Sequence, residues 1–437
     1  MRTFLRCAPM ALFTLAASPA FAEPAAKIDA GDTAWMIVAT ALVLMMTIPG
    51  LALFYCGMVR KKNILATMAQ SVAAVALVSI LWAILGYTLV FSGDAPALGN
   101  LERAFLRGIG MDTTHAAAST IPEIVFMIYQ MTFAIITVAL VAGAVADRMR
   151  FSAFLLFSII WLFVIYVPLA HWVWGGGFLQ KMGMLDFAGG TVVHINAGVA
   201  GLVAAYVLGK RRGYGTENLA PYDLSLAVIG TGLLWVGWFG FNGGSAGSAG
   251  SRAGFAIVAT HLAACAGALT WIVLEWGERG KPSVLGVISG AIAGLGTITP
   301  ASGYVLPWHG IVIGIAAGGG CYWACTKLKL WLGYDDSLDV FGVHGVGGVI
   351  GTIAAGVFAT AAISIDAANP QGLPGLIDGN PKQVLTQLIG VAVTVGWSGI
   401  GTFVILKLVD AITPLRVTPE QEQIGLDVTL HGESIHS

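Results

Sequence analysis

Charge is what this sequence has least of. Charged residues make up 10% of its 437 positions, where an ordinary soluble domain carries about 25%. A chain so poor in charge is excluded as a soluble globular protein. Neither sign dominates: 22 Lys and Arg face 23 Asp and Glu, for a net charge of −1. That balance lacks the basic footprint of a nucleic-acid binder. Cysteine is also scarce, at five, and no two form a C-x-x-C pair. Cys7 lies in an N-terminal leader, and Cys56, Cys265, Cys321 and Cys325 lie in apolar runs. Cys321 and Cys325 stand one helical turn apart, a spacing that could suit a metal. No histidine or carboxylate stands beside them, so core packing fits better.

What the chain has instead is long apolar runs. Hydrophobic residues make up 57%, and 58 glycines come in addition. Eleven runs read as bilayer-crossing helices: roughly 33–59, 63–91, 121–146, 152–172, 190–209, 224–241, 254–276, 284–299, 305–326, 340–362 and 384–409. The expected fold class is an all-α polytopic membrane protein with eleven transmembrane helices. Small residues let such helices approach closely, so the glycines predict a tight bundle.

Ahead of the first run stands MRTFLRCAPMALFTLAASPAFA. Arg2 and Arg6 give a positive start, a short apolar stretch follows, and Ala20-Phe21-Ala22 supplies an A-x-A cleavage site. This predicts a secretory signal peptide over 1–22, leaving the new N-terminus outside the cell membrane. A membrane domain over 23–410 follows, then a tail over 411–437. An odd number of spans puts that tail in the cytoplasm. Basic residues agree: fourteen lie on the predicted inner side, Arg60, Lys61 and Lys62 among them, against six on the outer side. Cytoplasmic loops carry such an excess. HINAGVAGLVAA, from His194, resembles HGVGGVIGTIAA, from His344. The copies are five spans apart, so the halves would be inverted. An inverted five-helix repeat is a transporter architecture with its site near the midplane.

Ionisable residues inside spans are candidates for function. His194 and His344 fall at matching repeat positions, and an adjacent imidazole pair can share a proton and relay it. A metal site is the weaker reading, because two histidines need further ligands. Asp186 and Asp339 precede them by eight and five residues. Asp339 is expected at the start of its helix, where a carboxylate suits the positive end. Asp186 stands beside a glycine-rich turn and is expected to cap the next helix. Its charge would also favour a cation above it. Aromatics form a second group. HWVWGGG carries Trp174, YQMTF carries Tyr129 and Phe133, and GWFGFNGGSAG carries Trp238, Phe241 and Ser245. Ring faces attract small cations, although a membrane-interface belt uses the same residues.

AHWVWGGGFLQKMGMLDFAGGTVVHINAG, GWFGFNGGSAG, ITPASGYV and DVFGVHGVGG resemble, in order, the ammonium transporter family (Amt/Mep/Rh), on its bacterial Amt branch. The likeness covers the whole mature chain. It implies a homotrimer in the bacterial inner membrane, with one hydrophobic pore per subunit and no cofactor. It assigns Trp174, Phe133 and Ser245 to an outer ammonium site supported by Asp186. Phe133 and Phe241 become a stacked gate, His194 and His344 the twin histidines, and Trp238, Tyr129 and Thr299 the pore lining. Tyr129 stands where a phenylalanine is common, and Leu338 where a cysteine often lies. The expected sequence is ammonium capture, deprotonation, ammonia passage past the histidines and reprotonation inside, with net charge movement.

The tail, AITPLRVTPEQEQIGLDVTLHGESIHS, reads by composition as a disordered end. The resemblance implies that it packs across the cytoplasmic face, where a PII signal protein (GlnK-like) docks. Two further classes compete. An ammonium sensor is expected to carry an output domain larger than this tail. An intramembrane enzyme would need a nucleophile–base set, and the spans offer none.

Overall fold

The computed structural model describes residues 27–365 and 369–435. The expected signal peptide of residues 1–22 therefore lies outside the described residues. Among these, the chain is helical and holds no β-strand. In chain order the apolar helices are α1 (Ala30–Met58), α2 (Lys61–Phe91), α3 (Glu123–Val145), α4 (Phe151–Lys181), α5 (Gly190–Leu208), α6 (Leu224–Gly244), α7 (Ser251–Arg279), α8 (Val284–Ile298), α9 (His309–Leu332), α10 (Phe341–Phe358) and α11 (Lys382–Ile412). All except α8 are long and apolar enough to cross a membrane; α8 is shorter.

Local chemistry sets the helix ends. Asp223 accepts from the N–H groups of Ser225 (2.9 Å) and Leu226 (3.3 Å) at the start of α6, and the Ser283 hydroxyl accepts from Gly286 N (2.9 Å) at α8. Such caps satisfy donors the helix leaves orphaned. α1 breaks at Ile48, whose φ of −133° and ψ of 115° are extended, the conformation a following proline favours. α4 runs past the expected end at 172. It pauses over Gly175–Gly177 and closes with a short turn, Phe178–Lys181.

α3 and α5 are the most buried helices and pack on each other, while α11 lies along α5 and α10 and stays largely exposed. α5 and α10 cross tightly. A side chain on Gly198 would collide with the Gly345 backbone, and one on Gly348 would come within 2.8 Å of the Gly190 carbonyl and 3.0 Å of Ile195 N. The contact is reciprocal. Gly198 and Gly348 each stand four residues after their own histidine, while Ile195 and Gly345 each stand one after.

Residues 413–435 are ordered across one end of the bundle, here called the tail end. Thr418 and Gln421 form a reciprocal cap on a short helix, Pro419–Ile424. Glu422 accepts from Arg212 N and from Arg416, each at 2.7 Å, and Asp427 accepts from Ala66 N at 2.8 Å. Beneath it lies a buried ionic layer. Arg211 pairs with Asp335 at 2.8 Å and Arg60 with Asp147 at 3.0 Å. The opposite end, where Trp174 lies, is the open end.

Candidate functional site

The site begins with the start of α5. Asp186 is buried, and its two oxygens accept from the N–H groups of Gly189 (2.7 Å), Gly190 (2.6 Å) and Thr191 (2.8 Å) and from the Thr191 hydroxyl. Burial pushes the carboxyl above its ordinary value, and the bonds from Thr191, Gly189 and Gly190 pull the other way. The capping role expected of Asp186 is what the structure has. At α10, Asp339 stands directly before the helix, as expected, and its carbonyl accepts from Val343 N at 2.9 Å. The carboxylate that accepts from the Phe341 N–H is that of Asp336 (2.7 Å). Asp339 adopts a left-handed φ of 57° and its own carboxylate meets Lys329 Nζ at 2.7 Å. Asp336 stands eight residues before His344, as Asp186 does before His194. That matched spacing was the overlooked signal.

At the open end, Phe133, Trp174, Ser245, Tyr129 and Asp186 line one cavity of about 310 Å³. Trp174 meets the Phe133 ring edge-on at 5.8 Å, and its Nε1 donates to the Asp186 carbonyl at 2.8 Å. The Tyr129 hydroxyl donates to Phe241 O at 2.8 Å and lies 3.3 Å from Ser245 Oγ. Phe187, Tyr304 and Arg252 complete the rim, with the guanidinium 5.2 Å from the Phe187 ring centre. Sequence reading assigned none of the three a role, although Phe187 and Tyr304 lie inside the motifs DFAGG and ITPASGYV.

The floor of this cavity is a ring pair. Phe133 and Phe241 stack at 4.2 Å with 25° between planes, and both are buried. Below them lies a slit of about 10 Å³, whose lining includes Phe241, Trp238, His194, His344 and Leu140. The rest of its wall is aliphatic and aromatic, so it has room for about one water-sized molecule. Trp238 is held by a bond from Nε1 to Thr299 Oγ1 at 2.9 Å; Thr299 itself is fully buried.

The two histidines meet across this slit. Each sits in a widened, π-helical turn, Gly190–Ile195 in α5 and Phe341–Gly345 in α10, the kind of irregularity common at functional sites. Their Nδ1 atoms are 3.2 Å apart and their rings nearly parallel, at 11°. Both rings are buried. With the two Nδ1 atoms facing, one ring donates and the other accepts, so a single proton lies between them. His344 also lines the next cavity, about 290 Å³ at the tail end, with Asp339, Tyr55 and Ser289. The order along the bundle is therefore wide polar cavity, aromatic floor, narrow apolar slit with two imidazoles, and wide cavity again.

Known proteins are similar to this chain in sequence and fold. A model described as the Ammonium Transporter Family matches residues 34–435. An ammonium transporter of Bacillus subtilis (strain 168) is 50% identical over 406 residues, covering 93% of this chain and 98% of the relative. One from Aquifex aeolicus (strain VF5) is 46% identical over 417 residues, covering 94% and 95%. The crystal structure of Candida albicans Mep2 is similar with a TM-score of 0.84 at 38% identity, covering 90% of this chain and 88% of that one. A structure titled Sensor Amt Protein reaches 0.83 at 28% identity, covering 92% and 98%.

Proposed function

Because this chain belongs to the ammonium transporter family, we propose that it carries ammonium by stripping it of a proton at an aromatic floor and passing ammonia through the apolar slit. The observation that carries this reading is the series of cavities, wide and polar, then narrow and apolar, then wide again. Trp174, Phe133 and Ser245 receive the cation, the rings through their quadrupoles and the hydroxyl through one hydrogen bond. Asp186 anchors α5 beneath it and adds negative charge nearby. Phe133 and Phe241 form the gate, and Trp238, Tyr129 and Thr299 shape the lining.

Selectivity follows from desolvation. A bare cation in low dielectric costs several kcal/mol, and potassium has no way to avoid that. Ammonium can give up its proton, and burial disfavours the charged form of an amine. The neutral molecule then meets His194 and His344, whose shared proton makes the pair a relay. We assign the released proton to this pair, so that transport is electrogenic. A passive ammonia channel is the alternative, with the proton returning outside.

The same proposal takes the eleven apolar helices as spans and the reciprocal α5–α10 contact as the axis of an inverted five-helix repeat. The open end then faces outward and the tail end the cytoplasm of a bacterial inner membrane, with residues 1–22 removed as a signal peptide. The functional unit is a homotrimer, and the tail is the dock for a PII signal protein. A sensor role is the second reading, favoured by the likeness to the structure titled Sensor Amt Protein.

The test is current evoked by ammonium in membranes holding the purified protein, with potassium as control. A current for ammonium and none for potassium is expected. Replacing both His194 and His344 with leucine should abolish it. An unchanged ammonium current in that double variant would refute the relay, and a silent wild-type protein at high density would refute electrogenic transport.

A further inference from the structure

His171 lies in the last turn of the Val167–Trp174 helix, three residues before Trp174, and is fully buried. Neither the site above nor the motifs account for it. Its Nδ1 is 2.7 Å from the Val90 carbonyl oxygen and its Nε2 is 2.6 Å from the Ala95 carbonyl oxygen. A carbonyl oxygen can only accept. Both bonds exist together only when both ring nitrogens carry hydrogen. A ring with one hydrogen would turn a lone pair on an oxygen at contact distance.

The surroundings are built for acceptance. Four consecutive carbonyls, Asp94 to Ala97, are each met by a donor from the end of α4. Lys181 Nζ reaches Asp94 at 2.8 Å, His171 reaches Ala95, Phe178 N reaches Pro96 at 3.2 Å and Trp172 Nε1 reaches Ala97 at 2.8 Å. Val90 belongs to the last turn of α2, which ends at Phe91, so the C-terminal ends of two helices converge on the ring. Helix C-termini carry partial negative charge and favour an imidazolium. The turn is packed hard here, since a side chain on Gly175 would collide with the Val90 carbonyl. Titratable and charged groups on the neighbouring elements are few. Segment 92–100 brings Asp94 and the turn 178–181 brings Lys181. The start of α3 brings Glu123, tied to Tyr87 and Arg103, and His115 bonds the Phe91 carbonyl. Asp186 is committed to the start of α5.

We propose that His171 is a positioning residue of the open-end cation site: an imidazolium clasp that fixes the end of α4 against α2 and residues 94–97, and so fixes Trp174. Trp174 is held on its far side by the Asp186 carbonyl, so the clasp is the second of its two anchors. Losing either of its two bonds loosens the cation site. The assignment of Trp174 to cation capture is the reading given above, on which this rests.

The two neutral rings have side-chain mimics. His171→Gln places an amide nitrogen near the Nε2 position and keeps the Ala95 bond; His171→Asn places one near Nδ1 and keeps the Val90 bond. Neither makes both bonds. In proteoliposomes of the full-length protein, the half-saturating ammonium concentration of both variants is expected to exceed that of the wild type about tenfold, for the loss of one charge-assisted bond, with maximal current unchanged. A wild-type half-saturating concentration in both variants would overturn the proposal. Hydrogen–deuterium exchange of the unsubstituted protein decides it even where a variant fails to fold. Segments 92–100 and 171–177 should be as strongly protected as the start of α5, and rapid exchange there would overturn the clasp. A wild type without current would count against the transport reading alone, because the exchange result stands independently of it.

Discussion

Asp186 shows how much one side chain fixes. Its carboxylate accepts from three successive backbone N–H groups and one hydroxyl while buried. Asp186→Asn would turn an amide N–H₂ toward those donors and leave them unsatisfied. The expected cost is about 3 kcal/mol of stability, read as a fall in thermal midpoint in detergent, with transport lost alongside. Ser245→Ala is the contrasting change. The Ser245 hydroxyl is only partly buried and donates to Phe241 O at 2.9 Å, so the fold should tolerate its loss. Ammonium should then half-saturate at a severalfold higher concentration with the maximal current kept, and an unchanged value would remove Ser245 from the site. Both residues were legible in the sequence because each sits in a long, specific motif. His171 was not, although it lies inside one. Its partners are backbone carbonyls of Val90 and Ala95, and backbone partners leave no mark in a residue pattern.

Among the helices, the α5–α10 crossing turns sequence spacing into geometry. Gly198 and Gly348 allow two backbones to touch beside the histidine pair, and that approach holds the imidazoles 3.2 Å apart. Gly198→Ala therefore pushes the helices apart at the histidine pair. Overpacking of this kind costs about 1–3 kcal/mol. The expected result is a folded but destabilised protein whose ammonium current falls at least tenfold, the cost of a displaced catalytic-type contact. A fully active Gly198→Ala variant would show that the close crossing is not needed. The apolar runs announced nearly every helix here, since composition alone decides what can lie in lipid. The matched histidines announced the pairing of α5 with α10. The widened turns that carry the histidines, and the capping of α10 by Asp336 rather than Asp339, were not legible. The second goes with the Asp339 side chain pairing with Lys329, a contact across ten residues that no local periodicity encodes.

At the scale of the whole molecule, the tail end gathers loops from distant parts of the chain around buried charge. Arg211 holds Asp335 through its N–H, Nε and Nη2 groups, and Arg148 reaches the Asp335 carbonyl. Burial alone would raise the Asp335 carboxyl, but Arg211 and then Arg148 hold it below its ordinary 3.8. Its stabilising effect is thus complete at neutral pH and is lost only as the pH falls below that value. The layer should survive mild acid. The C-terminal segment closes over this layer. Glu422 satisfies Arg212 and Arg416, Asp427 satisfies Ala66 N at the start of α2, and Leu426 N donates to Asn63, which also binds Asp147. Composition alone reads this segment as disordered, yet these contacts make it part of the loop layer beside the tail-end cavity. Deleting residues 418–437 removes Glu422 and Asp427 at once and leaves Arg212 N and Ala66 N without their acceptors. The loops from α1–α2 and α5–α6 should then shift, and with them the cavity that His344 lines at this end. The truncated protein is expected to fold, to keep its half-saturating ammonium concentration and to carry a several-fold smaller maximal current, because the proposed cation site lies at the other end of the bundle. Asp427→Asn should reproduce part of that loss. Full current from the truncated protein would reduce the tail to a docking surface for PII, and PII binding with undiminished affinity would deny it that role as well.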